Sequence, residues 1–175
     1  MPDMILTPYD AMWREIGCWY RAMENVRASL KASVDGLDQA DLDRDFGSGT
    51  PSIARLLCHA GLAEVVWITK VWRAEQIPDG WKPWFDRGRL DAGAAPLESV
   101  SADEIFTWLD EVREKTRLTL IRVTDRDIDR KIAKTSKGHA SLRWILYHLV
   151  EHEAHHRGQI HLLRRLAGKP LPTVK

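Results

Sequence analysis

Five of the seven histidines in this 175-residue chain fall within fourteen positions, at His148, His152, His155, His156 and His161. Imidazole nitrogens are common ligands of divalent metals, and two histidines four positions apart on one helix can chelate a single ion. The chemistry that this cluster predicts is therefore metal binding.

The turn of a helix decides which of these rings face the interior. An inward sector is defined by the apolar residues of the same segment, which are Leu142, Ile145, Leu149, Ile160 and Leu163. At about 100° per residue, His152 and His156 fall inside that sector, and His148 lies at its edge. His155 lies farther round, and His161 points away. We therefore expect His152 and His156 to be ligands and His155 and His161 not to be.

A third ligand has to come from elsewhere, because two imidazoles leave a divalent ion short of donors. His59 is the natural choice, since it lies on another apolar helical stripe with Leu56 and Ala63 one turn away on either side. The predicted metal ligands are thus His59, His152 and His156. Three protein ligands and one open position are typical of a reactive site, and imidazoles suit zinc, nickel, copper and iron alike.

Neighbouring polar residues are candidates for orienting the three rings through hydrogen bonds, namely Glu64, Tyr147, Glu153 and Gln159. One alternative stays open, in which the histidines are hydrogen-bonded core residues without a metal. It would bury several ring nitrogens that each need a partner.

Four stretches with apolar residues at intervals of three and four predict helices, over about residues 8–34, 50–75, 101–123 and 141–168. Thr50 followed by Pro51 predicts the start of the second helix, and Ser101 with Glu104 predicts a capping box at the third. The fold class is therefore all-α, a four-helix bundle. Residues 131–139 are expected to be extended.

The segment between the second and third helices, about residues 76–100, predicts a long aromatic loop because it carries three Pro, three Gly and the rings of Trp81, Trp84 and Phe85. These rings either cover a substrate or pack over one end of the bundle.

Composition limits the classes of partner. The 26 basic and 25 acidic residues leave a net charge of +1, so we expect no nucleic-acid partner. The length suits one domain, residues 1–175, and the absence of a signal peptide and of a long apolar run predicts a cytoplasmic protein without a membrane partner. Cys18 and Cys58 are expected to be reduced. Eight Trp and an apolar second helix suggest a homodimer.

Three runs resemble the DinB-like family of bacterial bundle proteins: HEAHHRGQI at residues 152–160, SIARLLCH at residues 52–59, and the acidic turn GLDQADLD at residues 36–43. The Trp-rich segment 77–97 carries no motif of that family. The resemblance implies an up-down-down-up bundle, a homodimer, and a triad formed by His59, His152 and His156 that holds zinc or nickel.

Relatives in that family include mycothiol-dependent maleylpyruvate isomerases and bacillithiol S-transferases. The resemblance therefore implies a metal-dependent thiol S-transferase that joins a low-molecular-weight thiol to a small electrophile. A non-catalytic metal-binding or stress-response protein and a metal-dependent hydrolase are the alternatives, because a fold does not dictate an activity. The family name does not imply DNA binding.

Overall fold

Four long helices dominate the computed structural model, which describes residues 5–90, 99–135 and 138–171, with the backbone alone for residues 131–135. In chain order the elements are α1 (Arg14–Ala32), α2 (Gln39–Leu42), α3 (Ile53–Glu64), a π-helical continuation of α3 (Val65–Trp72), a 3₁₀ turn (Asp79–Trp81), α4 (Lys82–Arg87), α5 (Ala102–Leu120), a second 3₁₀ turn (Asp125–Asp127), β1 (Lys131–Thr135), β2 (Gly138–Ser141) and α6 (Leu142–Leu166). The long helices α1, α3, α5 and α6 correspond to the four predicted ones, so the all-α bundle is confirmed.

The N-terminal caps of α5 and α3 show which side chains fix the first residue of each helix. Ser101 and Glu104 form the predicted capping box at α5, where the Glu104 N–H donates to Ser101 Oγ at 3.2 Å. The predicted start of α3 at Thr50 was wrong, because Ser52 is the residue whose side chain accepts from a free N–H of the first turn.

The first helix also begins later than predicted, at Arg14 instead of near residue 8. The preceding chain folds back along α1, where the backbone N–H of Tyr9 donates to the carbonyl oxygen of Gly17 at 3.2 Å. The absence of a side chain at Gly17 permits this approach, since a Cβ there would lie 2.9 Å from the Tyr9 nitrogen.

The extended segment predicted near residues 131–139 is the antiparallel hairpin of β1 and β2. The predicted aromatic loop is only partly a loop, because it contains the first 3₁₀ turn and α4, and residues 91–98 lie outside the described residues. Within the described ranges, no helix is both long and apolar enough to cross a bilayer.

Ion pairs and hydrogen bonds fix the direction of α1 and α6. Glu15 at the start of α1 pairs with Arg143 at the start of α6. At the far ends, Arg164 of α6 donates to the carbonyl oxygen of Ser33 at 2.9 Å. The two helices therefore run parallel.

Helix α5 runs opposite to α1. Lys31, near the end of α1, pairs at 2.6 Å with Asp110 in the first half of α5, and Asp125, just beyond α5, accepts from the backbone N–H of Glu15 at 3.1 Å. Helix α3 runs opposite to α6, because His59 lies beside His156 and the later Trp67 lies beside the earlier Trp144. The order up-down-down-up follows.

A buried ion network occupies the middle of the bundle, with one residue from each long helix: Arg27, Glu64, Arg113 and Glu153. Each is at most 5% exposed. Arg27 donates to Glu64 at 2.7 Å and to Glu153 at 2.6 Å, and Arg113 donates to Glu64 at 3.0 Å and to Glu153 at 2.9 Å. The network joins all four helices at one level.

This polar layer divides the apolar core in two. Along α1, Ile16, Tyr20 and Met23 belong to one cluster and Leu30 to the other, with Arg27 between them. Burial raises the pKa of Glu64, but the guanidinium groups of Arg113 and Arg27 outweigh that effect and hold the pKa at about 2. The carboxylate is therefore ionised throughout the physiological range.

Candidate metal centre

Three histidines converge in the groove between α3 and α6, at the level of the ion network. His59 comes from α3, and His152 and His156 come from successive turns of α6. One ring nitrogen from each lies within 4.8 Å of the other two. The Nε2 atoms of His152 and His156 are 3.3 Å apart. The structure therefore brings together the three residues that the sequence predicted as ligands.

Hydrogen bonds fix which nitrogens of two rings carry the proton. Nδ1 of His59 lies 2.7 Å from the carbonyl oxygen of Gly88, and Nδ1 of His156 lies 2.6 Å from Oε1 of Gln159. Both oxygens only accept, so both Nδ1 atoms must donate. In a neutral ring this leaves Nε2 with a free lone pair, and in these two histidines Nε2 is the nitrogen available to a metal.

Helix α4 has a role in this arrangement, because its C-terminal cap residue, Gly88, supplies the carbonyl oxygen that orients His59. Gly88 packs tightly against α3, and a Cβ there would lie 3.0 Å from the carbonyl oxygen of Cys58. The short helix that sequence analysis missed thus holds one of the predicted ligands in place.

The surroundings keep all three rings uncharged. Burial lowers the pKa of His59, although its bond to Gly88 opposes the shift. Burial, together with the nearby rings of His156 and His59, lowers the pKa of His152 to about 3. Burial also lowers the pKa of His156 to about 4, against the effect of Gln159. Neutral imidazole is the form that binds metals, so the rings are in the ligating state at neutral pH.

The hydrogen-bond inventory of the triad is incomplete without a further group. Nε2 carries a lone pair in both His59 and His156, and His152, whose Nε2 lies 3.3 Å from that of His156, can offer an N–H to only one of these two rings. The buried Nδ1 of His152 has no hydrogen-bond partner among the residues that the structure describes. This donor set fits a cation at the common point of the three rings.

The other polar residues expected to orient the triad behave differently from one another. Gln159 orients His156 as predicted. Glu64 and Glu153 do not orient the rings, because both carboxylates are bound by Arg27 and Arg113. Sequence reasoning missed this network, since its partners come from four separate helices and leave no local pattern.

Two aromatic residues of the segment between α3 and α5 pack on the bundle. The ring of Trp84 stacks on Trp108 of α5, with centroids 4.7 Å apart and planes 6° apart, and Trp81 donates to Glu111 of α5 at 3.2 Å. Of the two predicted roles for these rings, packing on the bundle is the one that the contacts support.

Different aromatic residues lie beside the triad. The ring of His148 is 5.4 Å from that of His152 and stacks on Trp144, with centroids 4.9 Å apart. Trp67 of the π-helical segment contacts both Trp144 and His148 edge-on, at 5.0 and 5.4 Å. The spacing of four along α6, from residue 144 to 148, 152 and 156, is the signal that could have found this arrangement.

The remaining histidines and the buried cysteine are not part of the triad. His155 is exposed, as predicted, whereas His161 is half-buried instead of facing solvent. Cys58 is a free, fully buried thiol. Burial raises its pKa to about 12, against a small opposing effect of Arg87 and Arg55, so Cys58 is a thiol and not a nucleophilic thiolate at neutral pH.

Comparison with known proteins agrees with this picture of the fold. YfiT from Bacillus subtilis, described as a probable metal-dependent hydrolase with an unusual four-helix bundle topology, superposes with a TM-score of 0.65 at 20% identity over 94% of each chain. A DinB-like protein from Bacillus cereus superposes with a TM-score of 0.58 at 19% identity, over 90% of this chain and 96% of that one. At these identities the likeness establishes the fold alone.

None of the curated proteins is significantly similar to the chain in sequence. The sequence model of the mycothiol-S-transferase family, however, matches residues 20–168, a span that includes all three histidines and the four residues of the ion network. The DinB-like assignment made from the sequence motifs is confirmed by the family and by the fold. The chain belongs to the mycothiol-S-transferase family of DinB-like proteins.

Proposed function

We propose that the chain binds one divalent metal ion, zinc or nickel, through His59, His152 and His156, and that it transfers a low-molecular-weight thiol to a small electrophile. The observation that carries this proposal is the convergence of three neutral imidazoles. In two of them, His59 and His156, the Nδ1 hydrogen is donated to a neighbouring oxygen and Nε2 is left for the metal. A divalent ion held there supplies Lewis-acid chemistry, lowering the pKa of a thiol that takes its open position.

The residues of the chain have distinct tasks in this proposal. Gly88 and Gln159 hold the rings of His59 and His156, and thereby fix which nitrogens face the metal ion. In the transfer the S–H bond breaks, and sulfur forms a bond to an electrophilic carbon. In a substitution the thiol proton passes to solvent and the leaving group departs with its electron pair, whereas in an addition the substrate takes up the proton. Mycothiol is the thiol that the family membership favours.

Thiol transfer is favoured over hydrolysis by the state of the nearby carboxylates. Activation of water profits from a general base, for which Glu153 was the candidate in the sequence. Glu153 accepts three hydrogen bonds from Arg27 and Arg113 and is 2% exposed, and Glu64 is held in the same way with a pKa of about 2. Both carboxylates are buried and engaged by guanidinium groups, so neither is free to act as that base, whereas a thiol with a lowered pKa needs none.

The test is consumption of mycothiol in the presence of a small electrophile, iodoacetamide, by protein loaded with zinc or nickel and by the same protein stripped with a chelator. We expect acceleration only with metal, and its loss in His156→Ala but not in His155→Ala. Metal binding without thiol consumption across a broad panel of electrophiles would favour the non-catalytic role. Ester or amide hydrolysis without thiol would instead favour the hydrolase.

A further inference from the structure

Helix α6 carries a ring on each of four successive turns of one face, at Trp144, His148, His152 and His156. The last two belong to the metal triad. The first two, together with Trp67, form a second group of rings in the same groove, which we call the aromatic cluster. It begins one ring contact away from the triad, at His148 beside His152.

The π-helical segment explains how Trp67 reaches this groove. Trp67 is eight positions beyond His59, and in a regular α-helix that spacing turns a side chain about 80° away from the first. Each π turn holds about one residue more than an α turn, so the chain rotates less per residue. The stretch Val65–Trp72 therefore brings Trp67 back toward the face of His59, which is the face that meets α6. Such π insertions are frequent at functional sites.

The aromatic cluster is not part of the closed core. Trp144 is 44% exposed, although its ring is stacked on His148 with the two planes 11° apart. Trp67 and His148 are half-buried and meet each other edge-on. A flat ring can be added to such an arrangement on the exposed part of Trp144, at an offset-stacked distance. A carboxylate lies beside the cluster, since that of Glu151 is 3.8 Å from His148 Nδ1.

We propose that the aromatic cluster binds the planar, uncharged aromatic part of the electrophile and thereby makes aromatic electrophiles the preferred substrate class. This inference rests on the proposed function, because it assigns the substrate of the same site. The nearby carboxylate disfavours an anionic ring, and His148, which contacts both Trp144 and the predicted ligand His152, makes the cluster continuous with the triad. Trp67 and Trp144 are specificity-determining residues in this proposal.

Binding is tested without turnover by titrating the protein with prodan, a neutral naphthalene whose emission shifts when it leaves water. We expect Trp144→Ala to weaken prodan binding about tenfold and Trp144→Phe, which keeps a ring, to weaken it less. The matched control is Trp13→Ala, which removes a 57% exposed indole that makes no ring contact with the described cluster residues, and should leave the affinity unchanged. Equal affinity in wild type and Trp144→Ala would overturn the inference.

A second arm uses turnover with two electrophiles that both lose a halide, bromomethylnaphthalene and iodoacetamide. We expect Trp144→Ala to raise KM for the naphthalene about tenfold and to lower kcat/KM for iodoacetamide by a much smaller factor. Equal losses for both electrophiles would overturn the inference while leaving the proposed function intact. If prodan binding depends on Trp144 but the protein has no transferase activity, the proposed function would be overturned and the aromatic binding site would stand.

The aromatic cluster could instead be covered by a second copy of the chain. Sedimentation of wild type and Trp144→Ala at matched concentrations separates the two cases. We expect the same oligomeric state for both proteins. A dimer that dissociates in Trp144→Ala would assign the cluster to a subunit interface and would overturn the inference.

Discussion

Replacing Glu153 by Gln removes one of the two buried carboxylates that balance Arg27 and Arg113, while the size of the side chain hardly changes. A third carboxylate, that of Glu24, pairs with Arg113 at 2.8 Å but is 38% exposed. Glu153 accepts from Arg27 at 3.0 Å on Oε2, and from Arg27 and Arg113 on Oε1, at 2.6 and 2.9 Å. An amide can keep one oxygen at this site, but its NH₂ group then faces a guanidinium donor. Glu153→Gln therefore leaves one buried donor unsatisfied and, among the fully buried members of the network, two positive charges against one negative charge.

Breaking a buried ion pair from one side costs about 3–5 kcal/mol, because the remaining charge stays buried without its partner. We expect a loss of that order from Glu153→Gln, which corresponds to a decrease in Tm of about 10 °C for a chain of this size. The matched control is Asp110→Asn. It breaks the pair between Asp110 and Lys31. Because the Asp110 side chain is 65% exposed, the change should cost less than about 1 kcal/mol.

The assay is urea unfolding at neutral pH, followed by circular dichroism. A chelator is present throughout, so that changes in metal binding at the neighbouring His152 do not contribute. Adding Arg27→Met to Glu153→Gln should cost less than the sum of the two single changes, since the second change removes the unpaired charge. A Glu153→Gln protein within 1 kcal/mol of wild type would refute the argument that the network stabilises the bundle by charge balance.

Three further predictions concern packing, reactivity and acid stability. Gly61→Ala should cost about 1–3 kcal/mol in thermal denaturation, because its Cβ would lie 2.4 Å from an indole carbon of α5, whereas Gly158→Ala, with open space around it, should be neutral or slightly stabilising. In a Cys18→Ser protein, Ellman's reagent at pH 8 should label Cys58 only after unfolding, because burial raises the pKa of that thiol to about 12; rapid labelling of the native protein would contradict its burial. The pKa of Glu64 is held at about 2 in the folded protein and lies near 4.5 when the chain is unfolded. The contribution of Glu64 to stability should therefore be complete above about pH 5 and be lost as the pH falls toward 2. In a plot of unfolding free energy against pH, Glu64→Gln should make the fall at acid pH less steep.

The long helices and the triad were predictable because their signals are local. Apolar periodicity and the capping box of Ser101 and Glu104 depend on residues close in sequence. The pair of His152 and His156 is likewise local, and His59 follows because one histidine on a second apolar stripe has few other partners.

Other features depend on tertiary contacts and left no such signal. The π-helical segment was not predictable, since six of the eight residues from Val65 to Trp72 are apolar and one extra residue per turn hardly alters such a pattern. Helix α4 is short and follows prolines and glycines that favour a loop. The pairing of Arg27 with Glu153 joins residues 126 positions apart, and only the packed bundle brings them together.

The central claim, that the three histidines hold a metal, is tested most directly by the metal content of the purified protein, measured by mass spectrometry after dialysis against zinc and then against buffer. We predict about one ion per chain in wild type and in His155→Ala, whose ring is exposed, and almost none in His152→Ala or His59→Ala. Full occupancy in a folded His152→Ala protein would contradict the account.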